Sequence, residues 1–343
     1  MIEIDGSWGE GGGQILRMSV ALSAVTGKDI RIVKIRAGRP KPGLAAQHLT
    51  SIKSVARLCD AKVEGLEIGS QKVELHPGEL RGGKFNFDVG TAGAITLVFQ
   101  ACLIPALHAP TKSVFTVTGG TDVRWSPPID YFQFVFLPMI EKMGVFARIE
   151  RVRRGYYPKG GGKVVLHVEP IEKLAPLRLE EKGDLRSIGG ISHVGNLPSH
   201  VADRMKKAAE EELAGLGKTG IDAKTLGGED AFGQGGGIVL WAETDRTILG
   251  ANSLAERGVR AEKVGQTASK KLMDEWKGGA TLDVHLSDQV LPYMVLADGE
   301  STFLTREISN HAKTNMWLFG HFFDVEFDKT RINDLYKVCV RPS

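Results

Sequence analysis

Residues Gly6–Arg17 read GSWGEGGGQILR. Ahead of them Met1–Ile4 is an apolar run with the character of a short strand. Behind them Ile15, Leu16, Val20, Ala21 and Leu22 recur at helical spacing. The junction is therefore strand, glycine-rich turn, helix. Its five glycines let the backbone turn tightly and bring bare N–H groups close to a ligand. A helix N-terminus adds unpaired donors and partial positive charge, which together favour phosphate. Arg17 offers a planar fork for phosphate oxygens, and Glu10 a carboxylate for a metal ion or a proton. Taken alone, the stretch also fits a turn that merely packs tightly. What weighs against the bland alternative is that the same kind of junction recurs down the chain.

Working outward, the pattern predicts strands at 1–5, 30–36, 61–66 and 71–76, with helices at 12–26 and 43–59. A second cycle follows: a strand at 84–89, a helix over 91–106, a strand at 113–119, a helix over 127–143, and strands at 145–151 and 163–168. The closing strands share letters, KVELHP at 72–77 and KVVLHV at 163–168, with KVCVRP at 337–342 a weaker third copy. Their place at the end of each cycle argues for an internal repeat. The third copy would take helices near 288–297 and 309–320 and strands near 323–328 and 335–341. Between copies the texture changes. Residues 184–277 carry a strand at 187–194, a Lys-, Glu- and Ala-rich helix at 201–216, strands around 220–226 and 236–252, and a helix at 260–276. This is a self-contained α/β unit inserted into the third repeat. The expected class is α/β (α+β), with a large domain in two pieces, 1–183 and 278–343, around an insert at 184–277.

Composition sets the broad class. A hydrophobic fraction of 42% and a charged fraction of 25% are those of an ordinary globular chain. Met1–Asp5 opens into a strand rather than a signal peptide, and no window reaches the roughly 18 apolar residues of a membrane span. Cys59, Cys102 and Cys339 are odd in number and lack CxxC spacing, which predicts a reducing, cytoplasmic setting without structural zinc. Net charge is only +3, but Ile30–Cys59 contains no acidic residue and carries Arg31, Lys34, Arg36, Arg39, Lys41, Lys53 and Arg57. A second basic run comprises Arg148, Arg151, Arg153, Arg154, Lys159 and Lys163. Such clusters mark polyanion surfaces, although the second serves equally as a solvated basic face.

The loops before the helices carry the candidate chemistry. Arg36–Gly43 holds Arg36, Arg39 and Lys41, stiffened by Pro40 and Pro42, with Gln47 and His48 one turn into the helix. Gly90–Ala94 precedes a helix bearing Gln100. Gly119–Pro128 offers Arg124 as a phosphate clamp and Trp125 as a stacking surface. Several such loops on a repeated scaffold suggest a cleft for nucleotide phosphates or a nucleic-acid end. Familiar nucleotide motifs are absent: Gly160–Lys163 lacks the Ser or Thr of a Walker loop, and Gln14 stands where a dinucleotide fingerprint needs its third glycine.

Among the nine histidines, His76 and His167 occupy equivalent strand positions and read as structural, and His48 is a candidate substrate contact. His108, His193, His200 and His321 lack an evident partner. His285 lies near the start of the helix carrying Asp288 and Gln289, and His311 near the start of the last helix. A helix N-terminus disfavours the protonated imidazole and leaves a neutral ring able to attack phosphorus. By spacing alone, a cap-adjacent polar histidine is the commoner explanation.

Taken together, GEGGGQILR (9–17), RAGRPKPGL (36–44), VGTAGA (89–94), GGTDV (119–123), LSDQ (286–289) and SNHAKTN (309–315) resemble the RNA 3′-terminal phosphate cyclase family, in its catalytic, archaeal-like form. The resemblance runs through essentially the whole chain. It implies three βαβαββ repeats, each like the C-terminal domain of translation initiation factor 3, plus a small α/β insert. It also implies a ligase that converts an RNA 3′-phosphate to a 2′,3′-cyclic phosphate, with ATP and a divalent metal, Mg2+ or Mn2+. A histidine attacks the α-phosphorus of ATP, AMP passes to the RNA 3′-phosphate, and the neighbouring 2′-hydroxyl closes the ring and expels AMP. His311 matches the nucleophile. Gln100, His285, Leu286, Ser287, Asp288 and Gln289 match the ATP contacts, with a histidine at 285 in place of an assured aromatic contact to adenine. Glu10 is assigned to the metal, and Arg17, Arg39, Gln47 and Arg124 to phosphates and the RNA end. The implied partners are ATP and RNA with a 3′-phosphate; no membrane is implied, and a homo-oligomer is compatible with the sequence. A non-catalytic ribosome-assembly or RNA-binding relative of the same fold is the main alternative, disfavoured by the intact His311. An enolpyruvyl-transferase type of enzyme is a second, but it needs no nucleophilic histidine and no such insert.

Overall fold

The computed structural model describes residues 1–342; the side chain of Arg151, a member of the second basic run, lies outside the described residues, as does Ser343. Three sheets and their helices enclose one core. In the first, β1 (Ile2–Asp5) runs parallel to β2 (Ile30–Val33), and β4 (Val73–His76) pairs antiparallel with both β2 and β3 (Lys62–Glu64), giving the order β1-β2-β4-β3. The connections are α1 (Gly13–Thr26) and α2 (Ala46–Leu58). In the second, β5 (Gly83–Asp88) runs parallel to β6 (Ser113–Gly119), and β8 (Gly162–Val168) pairs antiparallel with both β6 and β7 (Ala147–Gly155). Here the connections are α3 (Ile95–Leu107) and a helix in three pieces: α4 (Ile129–Tyr131), a π turn over Phe132–Phe136, and α5 (Leu137–Glu141). The π turn leads into Pro138, whose ring cannot stand against a carbonyl at ordinary α spacing.

A further sheet near the C-terminus has the order β14 (Ser301–Thr305), β16 (Leu335–Pro342), β15 (Val325–Ile332), all antiparallel, with parallel bridges from Leu174 to Ala297 and from Arg178 to Thr302. Its helices are α8 (Val284–Val295) and α9 (Asn310–Phe319). One hydrophobic cluster joins all three sheets, running from Ile4 and Ile52 through Phe99, Phe132 and Leu166 to Tyr293, Phe319 and Val340. α1 sits at its centre, packed on α2, α3 and α9, and is buried along nearly its whole length from Ile15 to Ala24. A helix apolar on most sides belongs in a core. The N-termini of α1, α8 and α9 thereby come to one side of the molecule.

The remaining sheet has the order β10 (Thr219–Leu226), β9 (Leu185–Gly195), β12 (Gly235–Thr244), β13 (Ile248–Leu254). It is covered by α6 (Ser199–Leu213) and α7 (Ala261–Gly278) and has its own apolar cluster, including Ile188, Met205, Leu240, Val264 and Leu272. The two-residue β11 (Ala231–Phe232) crosses to the edge of β7. Among the described residues no helix is long and apolar enough to cross a membrane.

The structure refines several sequence expectations. The helix expected from 43 begins at Ala46, because the N–H of Gly43 (φ 78°) donates to the Ile35 carbonyl and Leu44 is held by the loop at 69–70. The helix expected from 91 begins at Ile95, after Ala94 bridges Gly120. The stretch 236–252 is an antiparallel pair, reversed where the Thr244 N–H donates to the Thr247 carbonyl. β14 was not expected: it is buried on both faces, so no alternation marks it.

Candidate active site

The glycine-rich loop is packed into place by its surroundings. Gly9 has φ 59°, in the left-handed region, and a Cβ there would stand 2.7 Å from Oγ1 of Thr314 on α9. A Cβ on Gly13 would stand 2.2 Å from Nε2 of His48, so the first turn of α1 fits only over bare glycine. Trp8 stacks on Trp317 of α9, with ring centroids 4.4 Å apart and planes within 6°. These contacts fix Glu10, Gln14 and Arg17 against the start of α9.

His311 is the second residue of α9, whose first turn is capped by Ser309 Oγ accepting from the Ala312 N–H at 2.9 Å. Gln14 grips it twice: its Nε2 donates to the His311 carbonyl at 3.0 Å, and its Oε1 contacts Nδ1 of the ring. An amide oxygen there accepts the Nδ1 proton and leaves the Nε2 lone pair free. Nε2 lies 3.4 Å from Oε2 of Glu10. Burial pushes the imidazole below its usual range; Glu10 opposes the shift, while Arg17, His285 and Arg39 reinforce it. His311 is therefore neutral at neutral pH.

Beside it lies a cavity of about 440 Å³. Arg17, Gln100, His285, Asp288, Gln289 and His311 all line it. Gln100 Nε2 donates to Gln289 Oε1 at 2.8 Å, and Gln289 Nε2 to the His285 carbonyl at 2.9 Å, so two amides stand locked side by side. Asp288 accepts from Ser309 Oγ at 3.1 Å. Burial raises its pKa to about 8, with Asp283 and Glu10 adding and the Ser309 bond and Arg17 opposing. Arg17 itself is lowered to about 10 by burial, against the attraction of Asp288, and stays a cation.

Other expected residues stand farther out. Leu286 and Ser287 are buried in α8, Ser287 Oγ donating to the Val284 carbonyl at 2.8 Å, and they do not line the cavity. Gln47 Oε1 accepts from the Ala94 N–H at 3.1 Å and so fixes the loop before α3. Arg39 donates to the Glu10 carbonyl at 3.1 Å and so lies against the glycine-rich loop, outside the cavity lining. Arg124 is turned away, paired at 2.6 Å with Glu256. His48 is structural: its Nδ1 accepts from the Ala45 N–H at 3.1 Å, and burial, with Arg17 and Arg36, drives it down to about 3.

Sequence reasoning missed several neighbours. Gln14 was legible only as a broken fingerprint, because its partner is far away in sequence. Asp283 caps α8, accepting from the His285 and Leu286 N–H groups, and also accepts from the Tyr131 hydroxyl (2.7 Å) and the Gly250 N–H (2.9 Å). It thus ties α8 to α4 and β13. Asn252 and Lys271 reach the cavity from β13 and α7.

Converging helix N-termini, a cationic fork and a neutral, oriented imidazole define a mixed α/β protein whose cleft suits phosphate chemistry. The profile of the RNA 3′-terminal phosphate cyclase family matches residues 8–329, and the chain belongs to that family. It is 49% identical over 342 residues to an RNA 3′-terminal phosphate cyclase of Nitrosospira multiformis, covering 100% of this chain and 97% of that one. It is 48% identical to that of Pyrobaculum aerophilum, covering 95% and 94%, and 47% identical to that of Pyrococcus furiosus, covering 96% and 95%. Against solved structures, an EPSP synthase from Acinetobacter baumannii covers 100% of this chain and 66% of its own at 11% identity, with a TM-score of 0.29, too low to carry any conclusion.

Proposed function

We propose that this chain acts as an ATP-dependent RNA 3′-phosphate cyclase through His311. The observation that carries it is the pairing of a neutral imidazole with Gln14, which leaves Nε2 as the free nucleophilic atom beside Arg17 and the cavity. In this scheme Nε2 attacks the α-phosphorus of ATP and pyrophosphate leaves. The phosphoramidate passes AMP to an oxygen of the RNA 3′-phosphate, and the 2′-hydroxyl then attacks that phosphorus and expels AMP. Adenylation converts an oxygen that leaves poorly into part of a good leaving group. Ring closure is fast because the hydroxyl is already held beside its target, and only RNA carries it. The amide pair Gln100–Gln289 offers a donor and acceptor edge for adenine. His285 and Asp288 flank it, while Leu286 and Ser287 support it from within α8. Arg17 faces the triphosphate; Arg39, Gln47 and Arg124 serve the RNA end, Gln47 by shaping its loop and Arg124 by holding the Gly119–Pro128 loop through Glu256.

A divalent metal fits in one manner. Among the described residues no three metal-ligating side chains gather around Glu10. One carboxylate plus substrate phosphate oxygens is the set Mg2+ commonly takes. Glu10 would hold such an ion, which when bound neutralises charge on the phosphates.

We further read the three sheets that share the main core as copies of one βαβαββ unit, similar to the C-terminal domain of translation initiation factor 3. Residues 184–277 would then be inserted between 1–183 and 278–343. The common connectivity of the first two sheets and the separate apolar cluster of the fourth support this division.

The test is incubation with α-labelled ATP and Mg2+, without RNA, followed by a denaturing gel. Alkali-stable, acid-labile label on the protein, lost in His311→Ala and discharged by 3′-phosphorylated RNA, is the expected result. Label retained by His311→Ala would overturn the assignment of the nucleophile.

A further inference from the structure

Trp125, Asn252 and Lys271 line the same cavity as the amide pair, Trp125 and Lys271 at exposed positions and Gln100 and Gln289 at half-buried ones. Trp125 is 93% exposed and has no aromatic partner among the described residues. Its φ of 62° lies in the left-handed region, a conformation that costs a bulky residue about 1–2 kcal/mol. The loop is anchored on both sides of it. Arg124 pairs with Glu256 at 2.6 Å, Ser126 Oγ donates to the Val123 carbonyl at 3.0 Å, and Thr96 Oγ1 donates to the Pro127 carbonyl at 2.8 Å. An indole held outward, in a strained conformation, contributes nothing to the fold by packing. In the same lining Lys271 donates to the Asn252 carbonyl at 3.1 Å and forms no ion pair among the described residues, so its charge stays available.

We propose that Trp125 and Lys271 seat the RNA strand where it leaves the cavity, the indole stacking on the base preceding the reacting nucleotide and the ammonium taking a backbone phosphate. This rests on the cyclase function proposed above. ATP, a small ligand, suits the half-buried amide pair, whereas a polymer whose terminus lies at His311 extends out of the cavity, and Trp125 and Lys271 are exposed residues of its lining. An exposed aromatic beside a cation is the arrangement that binds single strands without sequence preference. The unit carrying Asn252 and Lys271 thereby becomes the outer wall of the RNA path.

The test uses the full chain, a short 3′-phosphorylated oligoribonucleotide, and a nucleoside 3′-phosphate that lacks the preceding base. Trp125→Ala should cut the preference for the oligomer, taken as a ratio of kcat/KM values, by about tenfold. Trp125→Phe should recover most of it. Lys271→Ala should lower the salt slope of oligomer binding by about 0.7. Equal losses on oligomer and mononucleotide, or an unchanged ratio, would overturn the proposal. Quenching of tryptophan fluorescence by the oligomer, compared between wild type and Trp125→Phe, reads the contact without turnover. A protein that shows the Trp125 quench but takes no label from ATP would fail as a cyclase while keeping the strand seat. One that takes the label but shows no Trp125 quench would fail in the opposite way.

Discussion

At the scale of single residues, the reactivity of His311 depends on who holds its other nitrogen. With Nδ1–H directed at the Gln14 amide, the lone pair at Nε2 is fixed in place rather than shared between tautomers. Gln14→Ala should slow formation of the adenylylated protein by about tenfold, the worth of one hydrogen bond of roughly 1.4 kcal/mol. Because burial holds the imidazole below its ordinary pKa of 6.5, the initial labelling rate should stay level as pH falls to that value and drop only beneath it. Asp288 gives the opposite kind of signature. Its carboxyl is raised from 3.8 to about 8, so the folded protein keeps a proton that the unfolded chain releases. Its contribution to stability is complete below the unfolded value and declines as pH climbs through the folded one. Asp288→Asn should flatten that decline, measured as urea midpoints at about pH 5 and about pH 9.

At the scale of elements, the loop that opens α4 is clamped to β7 and β9 by a buried charge cluster. Arg154 spans Asp122 (3.1 Å) and Asp130 (2.7 Å), His193 Nε2 lies 3.3 Å from Asp122, and the Tyr156 hydroxyl meets His193 Nδ1 at 3.0 Å. The guanidinium already takes the two carboxylates that, with His193, could otherwise serve a metal ion. Burial alone would raise the Asp122 pKa, but Arg154 and His193 outweigh it and hold the group ionised. Arg154→Met would strand two carboxylates and should cost about 3–5 kcal/mol in urea unfolding. How far such features could be read from sequence depends on the range of their causes. The Gly9–Arg17 and Gly119–Pro128 loops were legible because glycine and proline act on their own backbone. Asp122 stood in a legible motif, yet its partners on β7 and β9 did not, since a pairing across sheets leaves no local pattern. His193 therefore looked solitary, Arg154 looked like part of a solvated basic run, and Arg124 looked like a clamp because Glu256 could not be placed beside it. β14 escaped because STFLT is neither alternating nor continuously apolar.

At the scale of the whole molecule, the site is assembled by α1, α3, α8 and α9 around one core, so no single segment carries it. That is why motifs scattered from residue 9 to residue 315 were informative as a set and weak singly. The net charge of +3 also conceals a local excess, because the acid-free stretch from Ile30 to Cys59 brings Arg39 against the glycine-rich loop. Binding of a 3′-phosphorylated oligoribonucleotide should weaken with salt, by about 0.7 in logarithmic slope for each phosphate neutralised, and Arg39→Ala should remove about one such increment. Anisotropy titrations at several salt concentrations measure it.

The stacked pair Trp8–Trp317 spans two of these converging pieces, the glycine loop and α9. Indoles lying face to face share their electronic excitations, and in a chiral frame the shared excitation splits into circular-dichroism bands of opposite sign. The splitting fades quickly as the rings separate. Trp317→Phe should abolish the couplet and identify it. The protein thus contains a chiroptical ruler between the loop and the helix that bears His311, readable in the far ultraviolet before any ligand is added.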